Sequence, residues 1–145
     1  MPTIYTIGFA KKSAEQFFSL LMKAGVKKVI DIRLHNMSQL AGFTKRDDLS
    51  YFLKAIADID YLHMLSLAPT HQMLDAYRKK KGGWTEYKQS FNVLLSDRKP
   101  EKFLSKEDTQ HACLLCSEPS PDHCHRRLMA EYLKDCWGDF RIVHL

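Results

Sequence analysis

The residues most able to do chemistry lie between Cys116 and Arg126, in the sequence CSEPSPDHCHR. Two cysteines, two histidines, two acidic residues and an arginine fall within this segment. An apolar stretch typical of a strand precedes it, and a helical pattern follows it. Free backbone N–H groups and the helix dipole favour anions and thiolates at such a junction. The segment therefore predicts a site for thiol or anion chemistry without defining a reaction.

Three side chains of this segment are candidates for catalysis. Cys124 is a candidate nucleophile, because the predicted helix start and the neighbouring His125 and Arg126 would stabilise its thiolate. Glu118 is a candidate general acid or base, or a carboxylate that holds Arg126. For Cys124 the alternative is inward packing, with Arg126 paired to Asp31 or Glu118. Cys116 is a further candidate, with packing as a small apolar residue as the alternative.

The spacing excludes the loop of cysteine phosphatases, in which a cysteine and an arginine bracket a phosphate-binding turn. Where that arginine should stand, this chain has Asp122 relative to Cys116 and Ala130 relative to Cys124. The phosphatase loop is therefore absent.

Zinc binding is the rival chemistry, since cysteine and histidine are its usual ligands. Cys113 and Cys116 stand three residues apart on a predicted strand, so they should face opposite sides of the sheet. Cys116, Cys124 and His125, together with Glu118, could still hold zinc. We expect no cofactor, and zinc stays the alternative.

A second polar group follows another strand pattern. Asp31 and Arg33 flank one apolar residue, so alternation places them on the same face. They predict either a local ion pair or an acid beside an anion clamp, and both readings stay open. His63 follows a third strand pattern and is a candidate for the same pocket, with a hydrogen-bonded core histidine as the alternative.

The elements that must bring these residues together are predicted from hydrophobic patterning. Strand patterns cover residues 3–8, 26–34, 59–65, 111–116 and 140–145. Helix patterns cover residues 14–24, 44–56, 72–80, 85–95 and 121–137. Capping residues predict three helix starts: Ser13 with Gln16, Thr44 with Asp47, and Ser120 with Pro121.

This alternation predicts one α/β domain over residues 1–145, with about five mainly parallel strands and helices on both faces. The second helix should bury Leu49, Phe52, Leu53 and Ile56. In such sheets, ligands bind beyond the carboxyl ends of the strands, where the polar candidates stand.

Composition limits the classes of function. The 145 residues are 45% hydrophobic and 27% charged, as in ordinary globular domains. No apolar run could span a bilayer and no signal peptide is visible, so we expect a cytoplasmic protein without a membrane partner. Four cysteines indicate reduced thiols rather than a disulfide scaffold. The net charge of +5 and the basic run at residues 78–81 fit an anionic small molecule or nucleic acid as partner.

Several motifs occur in the order and spacing of a known family: Thr6-Ile-Gly8, Val29-Ile-Asp-Ile-Arg33, Tyr61-Leu-His63, Trp84 with Tyr87, and Cys116-x-Glu118 followed by Cys124-His-Arg126. The chain resembles the domain-of-unknown-function 488 family, an uncharacterised family. The resemblance covers essentially the whole chain and implies these site positions: Gly8, Asp31, Arg33, Cys116, Glu118, Cys124, His125 and Arg126.

Two departures from the family pattern fall at the expected pocket rim. Family members commonly have a histidine after the first glycine, where this chain has Phe9. A glycine pair usually follows their third strand, where this chain has Leu67-Ala68-Pro69. The implied consequence is a changed ligand or activity, or the loss of the activity.

Three functions follow from these residues. The first is an enzyme acting on a nucleotide, nucleic acid or other phosphorylated substrate. In this enzyme the reacting side chains would be Cys124 or Glu118, together with Cys116 and Asp31. The substrate would be bound by Arg33, Arg126, His125, Gly8 and His63. The second is a non-catalytic module that binds nucleic acid or a nucleotide. The third is a structural Asp–Arg–Glu network that joins the last helix to the sheet.

Overall fold

The sheet consists of five strands that all run parallel. A computed structural model describes residues 2–37, 42–79, 83–118 and 120–145. The strands are β1 (Thr3–Gly8), β2 (Lys28–Asp31), β3 (Asp60–His63), β4 (Ala112–Cys116) and β5 (Arg141–His144). Their order across the sheet is β3-β2-β4-β1-β5, so β4 is central and β3 and β5 are edges. The predicted α/β fold with parallel strands is confirmed.

Within the described part of the chain, five α-helices lie between the strands, as the crossovers of parallel pairing require. They are α1 (Ala14–Ala24), α2 (Arg46–Ala57), α3 (His71–Arg78), α4 (Trp84–Arg98) and α5 (His125–Trp137). Short 3-10 turns lie at Gly42–Thr44, Leu65–Leu67 and Pro100–Lys102. No helix in the described ranges has the length and apolar character needed to cross a bilayer.

Apolar residues of the sheet pack into two layers. On one face, Ile7 and Val29 pack with Phe17 of α1 and Leu53 of α2. On the other face, the strands pack against α3, α4 and α5. The expectation of helices on both faces is confirmed. Alternation along β4 places Cys113 in the first layer, so it faces away from Cys116, as expected.

The burial expected of α2 is only partly correct. Leu49 and Leu53 are fully buried, but Phe52 is only partly buried and Ile56 is half exposed. Because α2 contacts the sheet along a single narrow stripe, apolar residues at its margins remain open to solvent.

The capping predictions have different outcomes. Ser13 and Gln16 form the expected reciprocal box at the start of α1. The box at Thr44 is wrong, because α2 begins one residue later than that pattern requires, after Lys45, which makes no side-chain cap.

The predicted start of α5 is also wrong. The helix begins at His125, with Cys124 as its N-cap, and not at Pro121. The Ser120 hydroxyl accepts a hydrogen bond from the Asp122 N–H, two residues on. This local bond holds a turn that competes with helix formation.

Strand β2 ends earlier than the apolar pattern predicts, at Asp31. The Asp31 carboxylate accepts a hydrogen bond from the Arg33 backbone N–H at 3.1 Å. The Ile32 N–H still donates to the Leu115 carbonyl of β4 at 3.1 Å, but from Arg33 onward the backbone N–H bonds to the Asp31 side chain instead of to a neighbouring strand. Lys80 and Lys81 of the basic run, Gly82 and Pro119 lie outside the described residues.

Candidate functional site

The polar candidates meet at the carboxyl edge of the sheet. Gly8 ends β1 and pairs with Cys116 at the end of β4, while Asp31 of β2 pairs with Leu115. The chain leaves β2 toward α2 on one face and leaves β4 toward α5 on the other. A crevice opens where such connections part.

A pocket of about 190 Å³ occupies this crevice. Residues following β2, the helices α3 and α4, and the segment between β4 and α5 form its wall. Its lining includes Arg33, Leu34, His35, Pro69, Leu74, Tyr77, Arg78, Tyr87, Cys116, Ser117, Glu118, His123, Cys124 and His125.

Cys116 and His125 form a close pair in this wall. The Cys116 Sγ lies 3.4 Å from the His125 Nδ1, and the His125 Nε2 lies 2.8 Å from the carbonyl oxygen of Ile32. A carbonyl can only accept a hydrogen bond, so Nε2 carries a proton. In the neutral tautomer that this bond selects, Nδ1 is unprotonated and faces the Cys116 thiol.

The two thiols of the pocket differ in acidity. Burial opposes ionisation of the Cys116 thiol, but its pKa is nevertheless lowered. The groups that outweigh burial are a hydrogen bond from Cys124, the backbone N–H groups of Ser117 and Glu118, and the charge of Arg126. The pKa of Cys124 is raised, because its thiol hydrogen-bonds to Cys116 and because it is buried. These directions favour Cys116 over Cys124 as the ionised sulfur.

Arg126 is a fully buried cation of α5 that forms no ion pair with a described carboxylate. Its Nε donates to Thr6 Oγ1 at 3.2 Å, and its Nη1 donates to the Glu118 carbonyl at 2.5 Å and approaches the Cys124 Sγ at 3.9 Å. Its Nη2 has no hydrogen-bond partner among the described residues. The Cys124 thiol in contact with Nη1, and the Cys116 thiol whose pKa this charge helps to lower, are groups that could balance it when ionised.

Position 8 must be glycine because the Arg126 side chain passes directly beside it. A Cβ at this position would lie 1.5 Å from the Glu118 carbonyl oxygen and 2.4 Å from the Arg126 Nη1. Gly8 therefore provides space for the guanidinium and the carbonyl that it binds. The Gly8 carbonyl also accepts a hydrogen bond from Lys12 Nζ at 2.7 Å.

The predicted Asp31–Arg33 ion pair is present and buried. Arg33 Nε and Nη2 donate to the two oxygens of Asp31 at 2.9 and 2.8 Å, and Nη2 also donates to the Thr44 carbonyl at 2.7 Å. The Tyr61 hydroxyl donates to Asp31 as well, and burial together with this bond raises the pKa of Tyr61. Arg33 lines the pocket, and its charge is already balanced by Asp31.

The remaining candidates lie farther from the thiols. The Glu118 side chain is exposed at the pocket rim, and only its carbonyl contacts Arg126. His63 lies on the edge strand β3, where its Nε2 hydrogen-bonds to the Arg33 carbonyl at 2.8 Å. It is not among the lining residues. The structural network proposed from sequence is therefore formed in its Asp31–Arg33 part, without a carboxylate on Arg126.

Both departures from the family pattern contact this region. The Phe9 ring lies 5.3 Å from the Arg33 guanidinium carbon, a cation–π distance. Pro69 lines the pocket, and the carbonyl of Ala68 accepts a hydrogen bond from Arg98 Nη1 at 2.6 Å. These residues shape the rim through packing and backbone contacts.

A cluster of aromatic rings at the pocket was not among the candidates proposed from the sequence, where Trp84 and Tyr87 entered only as a family motif. The Trp84 ring stacks on His123 at 5.1 Å and on Tyr87 at 5.5 Å, and Tyr77 lies 5.0 Å from Tyr87. The signal was available, because Trp84, Tyr87 and Phe91 recur at helical spacing along one face of α4.

Among the residues that the structure describes, one group of three donors could hold a metal ion. The donor atoms of Cys116, Cys124 and His125 all lie within 4.8 Å of one another. A histidine that donates its second N–H to a backbone carbonyl, as His125 does, is common in metal sites. The buried charge of Arg126 acts against a further cation at this place.

Fold and site together define a parallel α/β protein that has a thiol, an imidazole and a buried guanidinium at the carboxyl edge of its sheet. The family model described as "Domain of unknown function DUF488" matches residues 13–133, so the chain belongs to this family. The match includes both pocket cysteines. Among curated proteins and solved structures, none matches the chain significantly.

Proposed function

We propose that this protein is an enzyme in which Cys116 acts as a nucleophile toward a small anionic substrate, such as a nucleotide or another phosphorylated compound. The observation that carries the proposal is the 3.4 Å approach of the Cys116 Sγ to the His125 Nδ1 in the pocket wall. A nucleophile beside a base that a third group orients is the usual arrangement for thiol catalysis.

The chain supplies each role from its own residues. His125 accepts the thiol proton at Nδ1, and the Ile32 carbonyl holds the ring in the required orientation. The charge of Arg126 and the N–H groups that follow Cys116 stabilise the thiolate. Glu118, at the rim, is available to exchange protons with the substrate or solvent.

The substrate class is inferred from the remaining wall. Arg78 lines the pocket and forms no ion pair within the described ranges, so its charge is available to an anion. Tyr77, Tyr87 and His123 contribute aromatic side chains to the lining, which suits a substrate with a planar group. The volume of about 190 Å³ is below the ~300–1,000 Å³ typical of drug-sized ligands, which favours a small substrate.

The test is the ionisation and alkylation of Cys116. We expect the ultraviolet absorbance of thiolate to show a transition below the ordinary thiol pKa of about 8.5, which disappears in Cys116→Ser and moves upward in His125→Gln. Iodoacetamide should modify Cys116 faster than the exposed Cys136 at neutral pH, as peptide mass spectrometry would show.

Cys113→Ser is the matched control, since this thiol lies on the other face of the sheet and its burial raises its pKa. It should leave the low transition unchanged. If wild-type protein and Cys116→Ser titrate identically, Cys116 is not the nucleophile.

The binding-module alternative rests on the basic run, of which only Arg78 and Lys79 are described. It predicts affinity for nucleic acid that falls steeply with salt. Binding that survives Cys116→Ser but is lost on replacing Arg78 by Ala would favour this alternative.

A further inference from the structure

The pocket contains a second thiol that a single nucleophile does not require. The Sγ atoms of Cys116 and Cys124 lie within 4.8 Å of each other, and both residues line the same pocket. The other two cysteines are far from this arrangement. Cys113 packs on the opposite face of the sheet, and Cys136 is exposed near Glu101.

Each pocket thiol lies at the end of a regular element. Cys116 is the last residue of β4, and Cys124 is the N-cap of α5 in an extended conformation. Turns, and not a regular element, connect them over the described part of residues 117–123. A disulfide has an S–S length of about 2.05 Å, so the two sulfurs, which lie within 4.8 Å of each other, must approach further for this bond to form.

The charge balance favours thiol chemistry over a metal ion at this place. Arg126 brings one buried positive charge to the two sulfurs, and its Nη1 lies 3.9 Å from the Cys124 Sγ. One thiolate neutralises that charge. A divalent cation with two thiolates would leave the guanidinium uncompensated, which is costly in a buried site.

We propose that Cys116 and Cys124 form a hydroperoxide-reducing pair, in which Cys116 attacks the peroxide and Cys124 resolves the product as a disulfide. This inference rests on the proposed nucleophilic role of Cys116. It adds a substrate class, the hydroperoxides, and a role for Cys124.

The Cys116 thiolate attacks one peroxide oxygen, an S–O bond forms as the O–O bond breaks, and the departing alkoxide takes a proton from the His125 imidazolium. The Cys124 sulfur then attacks the Cys116 sulfenic acid, and water leaves with the Cys124 proton. Two electrons pass from the dithiol to the peroxide. An external dithiol reduces the disulfide by exchange.

The experiment treats reduced full-length protein with tert-butyl hydroperoxide and follows each cysteine by peptide mass spectrometry. Wild-type protein should lose two hydrogen atoms through a disulfide joining Cys116 and Cys124. Cys124→Ser should instead accumulate a Cys116 sulfenic acid that dimedone traps. We expect Cys116 to oxidise at least about tenfold faster than Cys136. Cys136→Ser, as control, should behave like wild type.

Three outcomes overturn the inference. The first is wild-type protein without the internal disulfide, and the second is Cys124 oxidising first in Cys116→Ser at the wild-type rate. The third is purified protein with stoichiometric zinc that resists peroxide until it is chelated, which would make the cluster a metal site. If Cys116 still titrates as a low-pKa thiol while no disulfide forms, the peroxide inference fails alone. Circular dichroism of each variant excludes misfolding as the cause.

Discussion

Gly8 and Arg126 depend on each other at the end of β1. The guanidinium lies directly against the glycine and reaches the Glu118 carbonyl across it. Any larger residue at Gly8 would displace either that carbonyl or the charge beside the thiols. The resemblance to the family implied Gly8 as a binding position, and its geometry assigns it a steric role.

Replacing Gly8 by Ala should destabilise the protein by about 3 kcal/mol or more, because the new Cβ would overlap backbone that cannot move freely. Urea denaturation measures this loss. Gly42→Ala is the matched control, since a Cβ there meets no atom within 4 Å, and it should change stability by less than about 0.5 kcal/mol. Equal stabilities of the two variants would contradict this steric account.

Sequence predicted which residues gather at the site but not all their partners. Strand-end reasoning correctly brought Asp31, Arg33 and Cys116 to one edge of the sheet. It also left a carboxylate partner open for Arg126, which binds a carbonyl and a hydroxyl instead. Backbone acceptors carry no side-chain signature in a sequence, so this partner could not be predicted.

Among the helices and strands, α1 has the clearest capping signal in its local sequence. Ser13 Oγ accepts from the Gln16 N–H at 3.2 Å, and Gln16 Oε1 accepts from the Ser13 N–H at 2.9 Å. Both residues are exposed, so little besides the two bonds depends on them.

Ser13→Ala should therefore cost about 1 kcal/mol of unfolding free energy, because it leaves a helix N–H without its acceptor. Thermal and urea denaturation would measure the loss. Ser19→Ala, in the middle of the same helix, serves as control and should have a much smaller effect. A loss shared equally by both variants would count against the capping box.

The element predictions failed where one local bond competes with another. The start of α5 matched a serine–proline signature, but the Ser120 hydroxyl binds Asp122 and holds a turn instead. The end of β2 was predicted too late, because Asp31 binds the backbone beyond it. Which of two short-range bonds forms depends on tertiary contacts, such as the anchoring of Arg126, that local sequence does not specify.

For the molecule as a whole, the edge strand β5 is coupled to the site through one histidine. His144 Nδ1 and Thr6 Oγ1 lie 2.5 Å apart, and the same hydroxyl accepts from Arg126. Burial, followed by the charges of Arg126 and Arg127, lowers the pKa of His144. The neutral imidazole is therefore the form that suits the folded protein.

Acidification should weaken the fold through this group. Because the folded pKa is depressed, the unfolded chain binds the proton first as the pH falls below about 6.5, so the stability contributed by neutral His144 is lost. Urea denaturation at neutral and mildly acidic pH should give a smaller difference for His144→Gln than for wild type. An unchanged pH dependence in this variant would show that other groups are responsible.

At this scale, sequence predicted the parallel sheet and its two helical layers, since alternating strand and helix patterns permit little else. It did not predict the strand order. The insertion of β4 between β2 and β1 depends on contacts between residues about a hundred positions apart, which leave no periodic signal in the chain.

The central position of β4 has a consequence for biosynthesis. During translation, β1 emerges first, yet both of its neighbours, β4 and β5, belong to the last third of the chain. Until Ala112–Cys116 leaves the ribosome, β1 has no strand to pair with, and β2 and β3 form only a two-stranded ribbon, which is marginally stable by itself. The strand that carries Cys116 is therefore also the strand that joins β1 to β2 in the nascent chain. Formation of the sheet and assembly of the thiol site should coincide.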